Sequence, residues 1–143
     1  AVLHPVEFDP KPRSNAVSCV LRVAAGGQAI LLASDIEAAQ ESALAGRRPE
    51  ALRADVLVVP HHGSRTSSTP EFVAAVGARE AVFAVGYRNR FGHPKDEVVA
   101  RYAASGARLH RTDRDGAIGF VLGAGELQPR RERERRRRYW HGR

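Results

Sequence analysis

Short apolar runs alternate along the chain with segments whose apolar residues recur at helical spacing. Each run is bounded by glycine, proline or polar residues, which is typical of strands. The predicted strands cover residues 16–23, 29–33, 54–60, 81–85, 107–112 and 117–122. Three helices are predicted between them, each opened by proline or closed by glycine, over residues 36–46, 70–77 and 94–105. Strands that alternate with helices predict an α/β fold with a mixed sheet and flanking helices.

Polar side chains follow three of the predicted strands at the point where each strand ends. Asp35 follows the second strand, His61 and His62 follow the third, and Asn89 and His93 follow the fourth. Ligands bind beyond the carboxyl ends of strands in layered α/β folds, so we expect these side chains to share one site. Carboxylate and imidazole are suitable ligands for Zn²⁺ or Mn²⁺, and imidazole also transfers protons near neutral pH.

Each of these residues also has an ordinary structural explanation. Asp35 precedes a helix and is placed to cap its N-terminus. Paired histidines after a strand are common in hydrogen-bonded loops, and His93 also suits a plain loop before Pro94. The histidines that lack such polar neighbours, and that we therefore exclude from the site, are His4, His110 and His141.

Positive charge is concentrated at the C-terminus. The net charge is +7, and residues 128–143 account for +6 of it. The first 127 residues are therefore nearly neutral, so the overall basicity does not make the folded part a nucleic-acid binder. We predict a folded domain over residues 1–125 and an Arg-rich, disordered tail over residues 126–143. The tail residues expected to contact nucleic-acid phosphates, unless the tail is simply a solvated end, are Arg135, Arg136, Arg137 and Arg138.

Composition narrows the class of protein. The chain has 143 residues, of which 43% are apolar and 27% charged, as in globular domains. No apolar run approaches the roughly 18 residues that a transmembrane helix needs. The chain holds no Met and starts without a secretory signal pattern, so we expect it to begin within a longer protein. Its single cysteine, Cys19, is expected to be a buried apolar side chain in the first strand.

The order of these motifs resembles a known family. The string ILLASDIE, then HHGSRTSS, then GYRNRFGHP resembles the C-terminal half of the metallo-β-lactamase-like domain of ComEC competence proteins, from about Leu3 to Val121. ComEC proteins pass single-stranded DNA into bacteria during natural transformation. The resemblance implies an αββα sandwich with metal ions at one edge of its sheets. It also implies a nuclease that acts on the DNA strand that is not imported.

The resemblance implies roles for individual residues. Asp35 corresponds to an acidic residue that bridges two metal ions, and His93 to a late metal ligand. His61 or His62 is expected to act as proton donor, phosphate contact or ligand, with His61 favoured because it leaves the strand first. The residues expected to contact phosphate or to hold the ligands in place are Ser64, Thr66 and Asn89.

The chain departs from the family pattern at two points. The metal motif H-x-H-x-D-H is absent, and Ser34 stands where the family usually has glycine. If the backbone at Ser34 has a positive φ, serine costs about 1 kcal/mol there. We therefore expect an incomplete site for two Zn²⁺ or Mn²⁺ ions, and little or no DNA hydrolysis by this chain alone.

The resemblance also implies partners and a location. The expected partners are DNA, an upstream half of the same domain, and the membrane channel of the full-length protein. The family lies in the bacterial inner membrane with this domain on the extracytoplasmic side, and the chain itself, which has no span, is expected to be soluble. The alternatives are a truncated, inactive module and a fragment that binds nucleic acid through its basic tail.

Overall fold

The computed structural model describes residues 1–5, 14–123 and 125–136 as a mixed α/β fold built on one large sheet. Six strands form this sheet: Val2–His4 (β1), Val20–Ala25 (β2), Gln28–Leu32 (β3), Val56–Val58 (β4), Glu80–Phe83 (β5) and Arg108–Arg111 (β6). They lie side by side in chain order. The first three pair antiparallel, and β3 to β6 pair parallel. The predicted α/β class with a mixed sheet is confirmed.

Helices connect the parallel strands and cover one face of the sheet. They are Ala38–Arg47 (α1), Pro49–Leu52 (α2), Pro70–Val76 (α3) and Asp96–Ala104 (α4). The third shows why the local sequence predicts its ends. Pro70 opens it, the Thr69 hydroxyl accepts a hydrogen bond from the Phe72 amide, and Gly77 closes it with φ 59°. No helix in the described residues is long and apolar enough to cross a bilayer.

The main core lies between these helices and the sheet. Alternate strand residues point toward the helices, as the two-residue period of a strand requires. The largest fully buried apolar side chains of this core are Leu31, Ile36, Leu52, Leu57, Phe72, Phe83 and Tyr102. The ends of the parallel strands are thereby held at one edge, which is where the polar loops emerge.

The opposite face of the sheet is covered by the C-terminal segment. Ile118–Gly119 (β7) pairs antiparallel with Arg130–Arg131 (β8), and Glu132–Arg135 (α6) follows. Leu127 is buried against this face together with Val56 and Val82. The sequence predicts disorder from residue 126, whereas the structure has a strand at Arg130–Arg131 and a helical turn at Glu132–Arg135. Tail residues 137–143 lie outside the described residues, and a domain boundary near residue 125 stays a prediction.

Some local predictions differ from the structure. The strand predicted to start at residue 16 starts four residues later, at Val20 (β2), because Ser14–Val17 form a 3-10 turn. Cys19 precedes the strand and is exposed, so the prediction of a buried cysteine is wrong. The turn after β6 is a single helical turn, Thr112–Asp115 (α5).

Candidate functional site

Four of the predicted site residues lie together at the carboxyl edge of β3, β4 and β5. Asp35 Oδ1 is 3.5 Å from His62 Nε2. The ring centroid of His61 is 6.4 Å from that of His62 and 6.2 Å from that of His93. Parallel strands end at the same edge, and each of these loops leaves a different strand there. The expectation that the three polar loops meet is therefore met by the geometry.

The backbone at this edge is strained. Ser34, His61 and His62 have φ angles of 53°, 47° and 57°, in the left-handed region. The left-handed conformation costs about 1–2 kcal/mol of folding stability at each residue that has a Cβ. The His61 amide donates a hydrogen bond of 2.9 Å to the Ser34 carbonyl, which joins the loop after β4 to the loop after β3. The condition stated for Ser34, a positive φ that costs serine stability, holds in the structure. Such strain is often concentrated at functional sites.

Gly63 lets the loop after β4 pack closely against the loop after β5. Its φ is 78°, and a Cβ at this position would lie 2.7 Å from Pro94 Cβ and 3.0 Å from the Phe83 ring. The Lys95 amide also donates a hydrogen bond of 3.0 Å to the Gly63 carbonyl. Only glycine satisfies both the backbone angle and the contact, so the HHG sequence is needed to bring His93 beside His61.

The ring of His61 is oriented by Glu37 and Thr66. His61 Nδ1 lies 3.3 Å from Glu37 Oε1 and 3.2 Å from Thr66 Oγ1. The Thr66 hydroxyl donates to the same Glu37 oxygen over 2.9 Å. An ionised carboxylate only accepts hydrogen bonds, so the proton belongs on His61 Nδ1 and the lone pair on Nε2. Glu37 was not among the predicted residues, although its place two residues after Asp35 is a usable signal.

His62 is oriented by a backbone group and faces Asp35. Its Nδ1 donates a hydrogen bond of 2.7 Å to the Ala84 carbonyl, which leaves the lone pair on Nε2. That lone pair faces Asp35 Oδ1 at 3.5 Å. Two acceptors facing each other repel, so this arrangement suits a proton or a metal cation shared between them. The sequence alone left the roles of the two histidines open, and their different partners distinguish them.

His93 is held in place by hydrogen bonds to its backbone. The Asn89 side chain accepts from the His93 amide over 2.9 Å and donates to the His93 carbonyl over 2.7 Å. Within the described part of the chain, the buried His93 Nδ1 has no hydrogen-bond partner. Burial lowers the pKa of His93, and the nearby charge of Lys95 lowers it further. The neutral imidazole, the form that ligates metals, is therefore favoured.

The three predicted supporting residues belong to the hydrogen-bond network of the site. Ser64 is 7% exposed, and its hydroxyl lies 3.2 Å from Thr66 Oγ1. Thr66 in turn contacts Glu37, and both ends of the Asn89 amide are engaged by the backbone of its own loop. All three are placed to hold the histidines in position.

No group of three or more His, Cys, Asp or Glu side chains in the described residues is arranged to hold a metal ion. Two of the predicted tail residues are also described. Arg135 and Arg136 are exposed and pair with the two carboxylate oxygens of Glu132, at 2.8 and 3.4 Å. Arg137 and Arg138 lie outside the described residues.

Comparison with known proteins adds an independent line of evidence. No family model matches the sequence. The chain is 44% identical over 119 residues to "Competence protein ComA" of Neisseria gonorrhoeae and 34% identical over 119 residues to "ComE operon protein 3" of Bacillus subtilis. It is 31% identical over 104 residues to "Recombination protein 2" of Haemophilus influenzae. These matches cover 83%, 83% and 73% of the chain, but only 17%, 15% and 13% of the relatives. The chain thus spans about a sixth of the length of the curated relatives it matches.

Proposed function

Because the chain belongs, over its matched residues, to the ComEC family of competence proteins, we propose that it is part of a hydrolase domain used in DNA uptake. The proposed reaction is metal-dependent cleavage of phosphodiester bonds in the strand that is not imported. The fold of the domain would be metallo-β-lactamase-like, with this chain as its C-terminal half. The observation that carries the proposal is the convergence of Asp35, His61, His62 and His93 at one sheet edge.

The donor atoms at this edge fit a divalent metal. Two ligands of one tetrahedral ion at about 2.0–2.1 Å lie about 3.3 Å apart. Asp35 Oδ1 and His62 Nε2 are 3.5 Å apart, and His93 contributes a buried nitrogen that has no hydrogen-bond partner among the described residues. Carboxylate with imidazole suits Zn²⁺ or Mn²⁺. When bound, a pair of such ions would polarise the scissile phosphate and lower the pKa of a water molecule.

The residues that the structure describes do not form a closed site by themselves. Each ion needs about four to six ligands, so the proposal requires further donors from another part of the protein. The proposed source is an upstream half of the same domain. The other proposed partners are DNA and a membrane channel, and the proposed location is the extracytoplasmic side of the inner membrane.

His61 is the proposed proton donor or acceptor. Glu37 and Thr66 hold its Nδ1, which leaves Nε2 directed away from that contact and available for proton transfer. A histidine in this state would accept a proton from the attacking water on Nε2 and transfer it to the leaving 3′ oxygen as the P–O bond breaks. His62 has Asp35 as its partner instead, so it is assigned to the metal. Ser64 and Thr66 support His61, and Asn89 supports His93.

The proposal is tested by placing this chain in a relative. A chimera replaces the 119 matched residues of the Neisseria gonorrhoeae protein with this chain and is expressed in a strain that lacks the native protein. The readouts are transformation frequency and the release of nucleotides from donor DNA labelled on one strand. We expect the chimera to release label, and Asp35→Asn, His61→Ala and His93→Ala each to reduce release by about 100-fold or more.

Glu71→Gln is the matched control, because it removes an exposed carboxylate of α3 outside the site. It is expected to leave nucleotide release unchanged. Release by the Asp35→Asn chimera at the wild-type rate would refute the assigned site. A chimera that transforms normally without releasing label would refute nuclease activity and favour an inactive module.

The exposed arginines of the tail support a second, separate activity. Arg135 and Arg136 pair with Glu132, and exposed ion pairs of this kind are weak. DNA phosphates would therefore replace Glu132 as partners of these guanidinium groups, with little loss of ion-pair energy. The second proposal is that Arg135 to Arg138 add non-specific affinity for DNA.

A further inference from the structure

The loop after β5 exposes two aromatic rings to solvent. We call residues 86–93, with the sequence GYRNRFGH, the aromatic–arginine loop. Tyr87 is 70% exposed and Phe91 is 62% exposed. The other large apolar side chains that the described residues expose are valines. Two exposed rings on one short loop at the edge of a candidate site are a typical feature of a binding surface.

Each of these rings is paired with an arginine of the same loop. The guanidinium carbon of Arg88 lies 5.2 Å from the centroid of the Tyr87 ring. That of Arg90 lies 4.9 Å from the centroid of the Phe91 ring. Cation–π contacts at exposed positions are weak, and stacking of a nucleic-acid base on an aromatic ring is stronger. An unpaired base therefore replaces the guanidinium on the ring at little cost, and the released arginine is free to meet a phosphate.

The loop holds its rings on a braced backbone. The Asn89 side chain is hydrogen-bonded to the backbone of Gly86 and His93, the two ends of the loop. Lys95 Nζ donates a hydrogen bond of 2.8 Å to the Phe91 carbonyl. Arg88 has a φ of 52°, which turns the chain between the two aromatic residues. Preformed loops of this kind lose less conformational entropy on binding than mobile ones.

The rings lead directly into the candidate site. The Phe91 ring stacks on the His93 ring, with centroids 6.0 Å apart and planes inclined by 15°. The His93 ring is in turn 6.2 Å from that of His61. A base stacked on Phe91 therefore places its neighbouring phosphate beside the histidines. A double helix offers no free base faces at this position, because its bases are already stacked on each other.

We propose that Tyr87 and Phe91 form a stacking platform for the bases of an unpaired DNA strand, with Arg88 and Arg90 contacting its phosphates. This inference rests on the proposed function and adds a substrate class to it, a single strand or an unpaired end. The chemistry is the usual one for single-strand binding, in which aromatic rings take bases and a basic surface follows the backbone. The platform is distinct from the C-terminal tail, because it lies within residues 1–127, which we call the body.

The test measures binding of the full chain to fluorescein-labelled oligothymidylate of about 20 nucleotides by anisotropy, without added metal. An abasic strand of the same length supplies the same phosphates without bases. We expect Tyr87→Leu and Phe91→Leu each to weaken oligothymidylate binding by about 5- to 100-fold and to leave binding of the abasic strand unchanged. Phe91→Trp is expected to bind oligothymidylate as the wild type does, because tryptophan also offers an aromatic ring for stacking. Arg88→Gln and Arg90→Gln are expected to weaken binding of both strands.

Val23→Ala is the control, since it changes an exposed apolar side chain on β2. Wild-type affinity in both leucine variants, an equal loss for both strands, or no binding by the wild type would each overturn the inference. The leucine variants keep an apolar side chain at exposed positions, and thermal unfolding checks that they fold. The binding assay uses no metal and measures no cleavage, so the platform can fail while the nuclease proposal holds, and the reverse.

Discussion

Ser34 shows how a single backbone angle sets the position of a site residue. Its φ of 53° turns the chain at the end of β3, and its carbonyl accepts the amide hydrogen bond of His61. Asp35 follows directly and thereby reaches His62 at 3.5 Å. The left-handed conformation favours glycine, so serine here keeps the geometry at a cost in stability.

We predict that Ser34→Gly raises the free energy of unfolding by about 0.5–1 kcal/mol, because glycine adopts this angle without a Cβ clash. The measurement is chemical denaturation at neutral pH. Ser42→Gly is the matched control, since Ser42 is exposed within α1 and glycine there lowers stability by about 0.5–1 kcal/mol. Destabilisation by both substitutions would contradict the argument.

Among the elements, α1 is joined to the segment before α3 by a buried carboxylate. Glu41 is fully buried and accepts hydrogen bonds from the Ser68 and Thr69 amides, at 2.5 and 2.7 Å. The Tyr102 hydroxyl of α4 donates to the Ser68 hydroxyl over 3.0 Å. Burial raises the pKa of Glu41, but both of its oxygens are engaged by backbone donors. This contact fixes the end of the loop that carries His61 to Thr66.

Glu41→Gln is expected to lower the free energy of unfolding by about 1–3 kcal/mol. The side-chain amide of glutamine has one acceptor oxygen where glutamate has two. One of the two backbone amides, of Ser68 or Thr69, would then face the glutamine NH₂ group and lose its acceptor. Urea denaturation measures the effect. Glu50→Gln, at an exposed position of α2, is the same change and is expected to shift stability by less than about 0.5 kcal/mol. Equal effects at the two positions would show that the backbone contacts are unimportant.

For the whole molecule, charge and chemistry are divided between two regions. Residues 1–127 are nearly neutral and carry the histidines of the candidate site, and residues 128–143 carry most of the net charge. The proposed affinity of the tail for DNA depends on phosphate neutralisation, and the proposed stacking on the aromatic–arginine loop depends on base exposure. The two contributions therefore respond differently to salt.

We predict that neutralising the tail reduces the salt dependence of duplex binding. The tested variant changes to glutamine the residues Arg135, Arg136, Arg137 and Arg138. The slope of log K against log salt is expected to become less negative by about 3 to 4, since each phosphate contact contributes about 0.9. Titration of duplex binding with salt measures it. The control removes the same charge from four exposed arginines of the body: Arg47, Arg48, Arg79 and Arg114. An equal change of slope in that control would place duplex binding on the body.

Local sequence was sufficient for much of the fold and for the prediction that the polar loops after the strands meet at one edge of the sheet. Pro70 and Gly77 bound a helix whose ends need only local dihedral preferences. Asp35, the two histidines and His93 stand out because polar residues follow apolar strands, and parallel strands end at one edge. These features depend on periodicity and on turn chemistry, which act over a few residues.

Contacts between distant residues decided the rest. Glu37 orients His61 across 24 positions of the chain, and the Ala84 carbonyl orients His62, so no local pattern separates the two histidines. Arg130–Arg131 form a strand only because Ile118–Gly119 lies beside them and Leu127 is buried on the sheet. An Arg-rich sequence predicts a solvated tail on its own. Strand pairing and burial are properties of the folded chain. Tertiary structure alone therefore decides which groups contact the ring nitrogens of His61 and His62, and which path the C-terminal segment takes.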